Sequence, residues 1–226
     1  MTRIVKAPDE RRSELVTTAQ KLFFAKGYEN TSVSDIVNTV GVAQGTFYYY
    51  FDSKPSILEA VVQDLAAQTM AIVQPIISDQ NLNAIAKWNQ ITQIIGNWKI
   101  KQKDDLLAMS RIMRMEENIR LRHKLRAEMT KLVAVELAPI VVQGVEEGVF
   151  NTEHPLETTE HALAVMSTAS NAMLDILFNQ EQYEIPTNLA WNKVSAAQAD
   201  VERILGAPSG SLLLVERETL AAWFED

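Results

Sequence analysis

At 226 residues the chain is long enough to bury a substantial core, so a folded protein is expected. Its hydrophobic fraction of 47% and charged fraction of 22% are those of an ordinary globular protein, and no stretch approaches the roughly 20 consecutive apolar residues of a membrane span. The absence of cysteine excludes disulfides, thiolate metal sites and thiol redox chemistry, and a net charge of −8 excludes a uniformly basic surface.

The opening residues, MTRIVKAPDERR, contain neither an apolar core nor a small-residue cleavage site, so a cytoplasmic protein is expected. Charge is spread unevenly. Up to Lys54 the basic residues Arg3, Lys6, Arg11, Arg12, Lys21, Lys26 and Lys54 outnumber the acidic ones by a single charge, leaving −9 for the remainder. A small N-terminal segment relieved of the acidic excess fits a DNA-binding head on an acidic body.

In chain order, Leu15, Val16, Ala19, Leu22 and Phe23 recur on one helix face, and Gly27 supplies a C-terminal stop. Ser32 then stands as an N-cap with Asp35 three residues on, and Val33, Ile36, Val37 and Val40 make a stripe of about two turns before Gly41. After this break, Gln44 to Phe51 reads as a third short helix with Phe47, Tyr50 and Phe51 inward. Ser53 caps a long fourth helix with Pro55 in its first turn, whose face runs through Ile57, Leu58, Val61, Val62, Leu65, Thr69, Ile72 and Val73. Beyond Pro75, helices are expected at about 81–101, 104–115, 118–147, 156–179, 188–206 and 212–224. The expected fold is all-α, with a DNA-binding domain at 1–54 and a larger body at 55–226.

Residues 44–54 carry the chemistry. Their outer face presents Gln44, Gly45, Thr46, Tyr48 and Tyr49. Adjacent exposed tyrosines are poorly explained by packing, whereas a duplex offers phosphates to their hydroxyls and thymine methyls to their rings. Gln44 suits an adenine edge, Gly45 permits close backbone approach, Thr46 offers a hydroxyl, and Lys54 heads the next helix with a cation. Taken alone, an aromatic stripe is more often a packing face.

The surrounding pattern decides between these readings. The run Gly27-Tyr28-x-x-Thr31-Ser32-Val33-x-x-Ile36, followed by Gly41-Val42-x-x-Gly45-Thr46-Phe47-Tyr48-x-Tyr50-Phe51-x-Ser53-Lys54, resembles the N-terminal domain of the TetR family of bacterial transcriptional regulators over roughly residues 10–60. The resemblance implies a three-helix head with Gln44–Tyr50 in the major groove. It also implies Tyr48 and Thr46 on phosphates, positions 44, 45 and 49 near bases, and backbone contacts from Tyr28 and Thr31. Ala43 and Asp52 depart from the family's frequent residues, serine at the first and lysine or glycine at the second.

For the body, the stretch Glu146 to Thr152 ahead of Pro155 resembles a junction recurrent in the family. By this resemblance the helices near 156–179 and 188–206 pair with a second subunit in a four-helix bundle. Leu163, Met166, Ser170, Met173, Leu174 and Leu177 line one face of the first, and Ala190, Val194, Ala197, Val201 and Ile204 one face of the second. Trp88, Trp98, Met109, Met113 and Met129 are candidate lining for a small-molecule inducer, although any one of them also suits ordinary core. Segment 99–131 is locally basic and reads as a solvated face, and His123, His154 and His161 read as surface residues without metal spacing. No catalytic set, metal or cofactor is expected. The reading is a homodimeric repressor released from a palindromic operator by a small molecule, with a partner-controlled regulator lacking a pocket, or a protein-docking module, as its rivals.

Overall fold

The computed structural model describes residues 7–225, with all their side chains except those of Asp105, Glu117, Arg120 and Leu121. Arg3 and Lys6, counted above for the charge of the head, lie outside the described residues, as does the side chain of Arg120 in the basic segment. Among the described residues the helices are α1 (Pro8–Lys26), α2 (Val33–Val40), α3 (Gln44–Tyr50), α4 (Lys54–Ile77), α5 (Ala84–Lys101), α6 (Lys103–Met113), α7 (Ile119–Glu146), α8 (Pro155–Phe178), α9 (Pro186–Leu205) and α10 (Arg217–Ala221). Short 3-10 turns occupy Glu116–Asn118 and Gln180–Gln182.

Two compact units form, and they are not consecutive in sequence. The first joins residues up to Gln68 with Asp104–Met129, and the second joins Thr69–Lys103 with the chain from Thr130 onward. The expected division at 54/55 therefore misses two contributions to the first unit. Ile57, Leu58, Ala60 and Val61 of α4 and Met113 of α6 are buried in one core with Leu15, Val16, Ala19 and Phe23 of α1, Ile36 and Val37 of α2, and Phe47 and Phe51 around α3.

Local signals set the borders of the first helices. Ser32 Oγ accepts from the Asp35 N–H at 3.0 Å while the Asp35 carboxylate accepts from the Ser32 N–H at 2.7 Å, closing a capping box at the start of α2. Gly41, in the left-handed conformation at φ 78°, donates its N–H to Val37 O and turns the chain into α3. Ala43 provides no side-chain cap to α3, so burial of Phe47 holds that seven-residue helix. At the head of α4, Ser53 and Ser56 exchange hydrogen bonds between side chain and backbone N–H at 3.1 and 3.3 Å. The helix runs through Pro75 to Ile77, and the buried Lys87 amine donates to Ile77 O at 2.7 Å. By length and hydropathy α4 would suit a membrane span, but Ile57, Leu58, Val61, Val62 and Val73 are buried within the protein.

The second unit packs Trp88 and Ile91 of α5, Leu137, Ile140 and Val141 of α7, Ala162 of α8, and Val201 and Leu205 of α9 around Phe150. Phe150 lies against Gly144, where a Cβ would come within 2.1 Å of its ring. Asn151 donates its N–H to Leu205 O at 2.8 Å, so the junction after α7 docks on the end of α9. The helix expected from 212 to 224 shrinks to Arg217–Ala221. Its leading residues are held extended instead, because the Gly210 and Leu212 N–H groups donate to the buried Glu202 carboxylate and the Leu213 N–H to Asn89 Oδ1.

Candidate nucleic-acid interface

The outer face of α3 is the most exposed aromatic surface of the first unit: Tyr48 is 52% and Tyr49 78% exposed, while Phe47 is fully buried beneath them. Edge-to-face contacts of Tyr48 with Phe47, at 5.4 Å between centroids, and of Tyr49 with Tyr50, at 4.8 Å, order the two rings without covering them. Gln44 and Gly45 are exposed on the same helix and Thr46 is half-buried. Among the described residues nothing lies within 4 Å of a Cβ built on Gly45, so they give no packing reason for a glycine there. The residues expected near bases, Gln44, Gly45 and Tyr49, thus share one open surface with Tyr48 and Thr46.

Three other predicted contacts belong to the scaffold behind that surface. Thr31 is fully buried, and its hydroxyl donates to Gly27 O at 2.7 Å, so its side chain holds the α1–α2 turn and is not offered outward. The Lys54 amine donates to Tyr28 O at 2.9 Å and to Thr31 O at 3.0 Å, and it lies 4.2 Å from the centre of the Tyr28 ring. In this arrangement Lys54 is a tie between α4 and the turn. The Tyr28 ring is half-buried, and burial first, then the Glu29 carboxylate, push the pKa of its phenol up.

Sequence reasoning overlooked Asn118. It is 1% exposed, its Oδ1 accepts from the Tyr28 N–H at 3.2 Å, and its Nδ2 donates to Ile112 O at 3.0 Å. Asparagine in a short polar run ahead of a helix carries no periodic signal, so only the folded structure discloses it.

The expected ligand residues separate. Trp88 lines an apolar cavity of about 40 Å³ in the second unit together with Ile91, Thr92, Leu137, Ile140, Leu163 and Met166. Among the described residues its buried indole N–H has no hydrogen-bond partner. Met113 and Met109 instead pack in the core of the first unit, Met129 is half-buried at the edge of that unit's residue span, and Trp98 is 40% exposed, so the methionine part of the expected lining is corrected. Leu163 and Met166, read as a dimer face, face the cavity. Ala190, Val194, Ala197 and Val201 of α9 are likewise buried within the chain, leaving outward residues such as Ala164, Thr168, Asn192 and Ala196 on α8 and α9. A wider hollow of about 400 Å³ opens along α7, lined by Val135, Ala138, Pro139, Val142, Gln143, Glu146 and Leu156.

Within the basic segment, burial first and then the neighbouring Arg122 and Arg114 push the pKa of the Arg126 guanidinium down, and these three cations lie close together in the first unit. His123, His154 and His161 are exposed, as the sequence suggested.

The fold and site define a class of protein: a helix-turn-helix unit with an open tyrosine face, in one chain with a helical unit holding an apolar cavity. The chain belongs to the TetR family of bacterial regulatory proteins. The family pattern described as bacterial regulatory proteins, tetR family, matches residues 15–61, and that described as tetracyclin repressor-like, C-terminal domain, matches residues 108–194. Among curated relatives, the uncharacterized HTH-type transcriptional regulator YvdT of Bacillus subtilis (strain 168) is 39% identical over 57 residues, covering 25% of this chain and 29% of the relative. The chain thus matches less than a third of that relative's length. The HTH-type transcriptional regulator BetI of Vibrio vulnificus (strain YJ016) is 28% identical over 154 residues, 61% of this chain and 76% of the relative. Among solved structures, the crystal structure of RolR in complex with its ligand resorcinol superimposes with a TM-score of 0.60 at 15% identity, covering 96% of this chain and 94% of that one. A TetR-family regulator from Mesorhizobium loti MAFF303099 gives 0.57 at 17% identity, covering 89% and 98%. These two are likenesses of fold. The family is one of regulators and not of enzymes.

Proposed function

We propose that the protein is a cytoplasmic DNA-binding transcription regulator, a repressor that α3 seats in the major groove of a palindromic operator and that a small molecule releases. The observation that carries this reading is the open pair Tyr48 and Tyr49 above a fully buried Phe47, which packing inside the chain does not require. Gln44, Gly45 and Tyr49 are assigned to base edges, and Tyr48 and Thr46 to phosphates. Tyr28 is a supporting contact through its hydroxyl. Thr31 and Lys54 act by fixing the turn beneath it.

A single head reaches only a half-site, so two copies related by a two-fold axis, with heads about 34–36 Å apart, are needed for a palindrome. Ligand control requires a coupling free energy of about 1–3 kcal/mol between sensor and head, enough to change operator affinity 5- to 150-fold. The cavity beside Trp88 is small beside the ~300–1,000 Å³ of drug-sized sites. An inducer bound there is therefore compact or enters by displacing Leu163 and Met166. The small size of that cavity also favours a second reading, in which a protein partner controls the regulator and no small molecule binds.

Selection of bound duplexes from a random pool, with wild type and a Tyr48→Ala/Tyr49→Ala double variant side by side, tests the first reading. Enrichment of a palindrome by wild type alone supports it, and enrichment by neither protein removes it. With the operator in hand, a compound library screened by thermal shift and then by operator release separates ligand control from partner control.

A further inference from the structure

Gly27, which ends α1, adopts φ 87° and ψ 157°, a backbone region open in practice to glycine alone. The space over its Cα is filled by the Asn118 carboxamide, whose Nδ2 and Oδ1 would both stand 2.9 Å from a Cβ at that position. Asn118 is reached from the far side of the sequence: it ends the 3-10 turn between α6 and α7, yet it falls in the same compact unit as α1–α3. Its two hydrogen bonds run in opposite directions, one from the Tyr28 N–H and one to Ile112 O in the last turn of α6. Tyr28 is consequently held at both ends of one residue, its N–H by Asn118 and its carbonyl by Lys54, and Lys54 also takes Thr31 O. Thr31 leads directly into the Ser32 capping box that starts α2.

We propose that Asn118 is a positioning residue of the DNA-binding head: its carboxamide clamps the α1–α2 turn to the end of α6 and so sets the placement of Tyr28, α2 and the recognition helix α3. This rests on the reading of α3 as the DNA-contacting helix. A carboxamide suits the task because the site needs an acceptor and a donor side by side in a buried space, and leaving either backbone group unpaired there carries a desolvation penalty. Truncation to alanine removes both bonds and opens space above Gly27. Aspartate, when ionised, keeps the acceptor for Tyr28 but offers no donor to Ile112 O. A displacement of the α6–α7 junction has a direct hydrogen-bonded route to Tyr28 through this side chain.

The test uses the full chain with Asn118→Ala and Asn118→Asp. Hydrogen exchange is read at the Tyr28 amide and at Phe23 in the same unit, and binding to a duplex is measured by fluorescence anisotropy. The duplex is the selected palindrome, or a random-sequence duplex at low salt if selection yields none. In Asn118→Ala, exchange at Tyr28 is expected to quicken roughly tenfold while Phe23 is unchanged, and duplex affinity to fall roughly tenfold. Asn118→Asp keeps the acceptor but cuts the tie to Ile112 O, so Tyr28 is expected to stay protected while duplex affinity falls roughly tenfold, as in the alanine variant. Unchanged exchange at Tyr28 in Asn118→Ala would overturn the clamp. So would wild-type duplex binding by Asn118→Asp with Tyr28 still protected, because the tie to Ile112 O would then play no part in placing the head. If Asn118→Ala melts as a whole, protection of Tyr28 in Asn118→Asp decides alone, and its loss there rejects the assignment. A wild type that binds neither duplex defeats the DNA-binding reading, and the exchange data still decide whether Asn118 holds the turn.

Discussion

The Asp35 carboxylate accepts from the Ser32 backbone N–H and hydroxyl and lies 3.1 Å from the Lys26 amine, and these contacts, led by the backbone hydrogen bond, hold its pKa at about 2. Because the folded value lies below the ordinary 3.8, its contribution to stability is complete above that pH and disappears as pH falls toward 2. The difference in melting temperature between wild type and Asp35→Ala is therefore expected to be widest near neutrality and to close toward pH 2. A gap independent of pH would show that the charge of the carboxylate plays no part. Tyr48→Phe removes only a hydroxyl from an exposed ring, so it should leave the melting temperature within error while weakening operator binding roughly three- to tenfold. Filter binding at several salt concentrations adds a further check: a neutral hydroxyl releases no counterion, and the salt slope should match wild type.

At the scale of helices, Gly144 and Phe47 give opposed lessons about substitution. Glycine to alanine in a helix interior usually stabilises by about 1 kcal/mol. Within α7 the added methyl of Gly144→Ala would meet the buried Phe150 ring, and overpacking of that kind costs roughly 1–3 kcal/mol, so a lower midpoint in urea is expected. Phe47→Ala should cost about 3–5 kcal/mol and dissolve α3, which has no cap to sustain it, with loss of operator binding as the readout. The first four helices were legible in the sequence because their cues are local: Ser32 with Asp35, Gly27, Gly41 and the spacing of Leu15 to Phe23. The shortened α10 was not, since Asn89 and Glu202 compete for its backbone from more than a hundred and about ten residues away respectively. Thr31 and Lys54 show a different limit. Their residue types suit phosphate contact, yet which way each side chain turns depends on carbonyls that the fold brings to it. Met109 and Met113 were misplaced for the related reason that an apolar side chain does not declare which core it enters.

For the whole molecule, the homodimer expected through α8 and α9 has to use what the chain leaves outside. Since Ala190, Val194, Ala197 and Val201 are consumed internally, the small outward residues Ala164 and Ala196 are where two copies can approach closely. An Ala164→Glu/Ala196→Glu variant is expected to elute and scatter as a monomer and to bind the full palindrome no better than a half-site. A dimer of unchanged mass would send the interface elsewhere on the surface, with the apolar hollow along α7 next in turn.

The first compact unit takes Asp104–Met129 from a point in the chain well past the end of the helix-turn-helix pattern at residue 61. Anyone building hybrid regulators, with the operator preference of one family member and the sensing body of another, meets this as a problem of where to cut. A junction placed after α3 or early in α4 would pair this head with a foreign α6–α7 corner, and Met113 and Asn118 would be replaced by residues that never adapted to Phe23, Gly27 and Tyr28. A transplant that works for this protein carries two pieces of sequence, the N-terminal stretch and the corner around Asn118, moved together as one part.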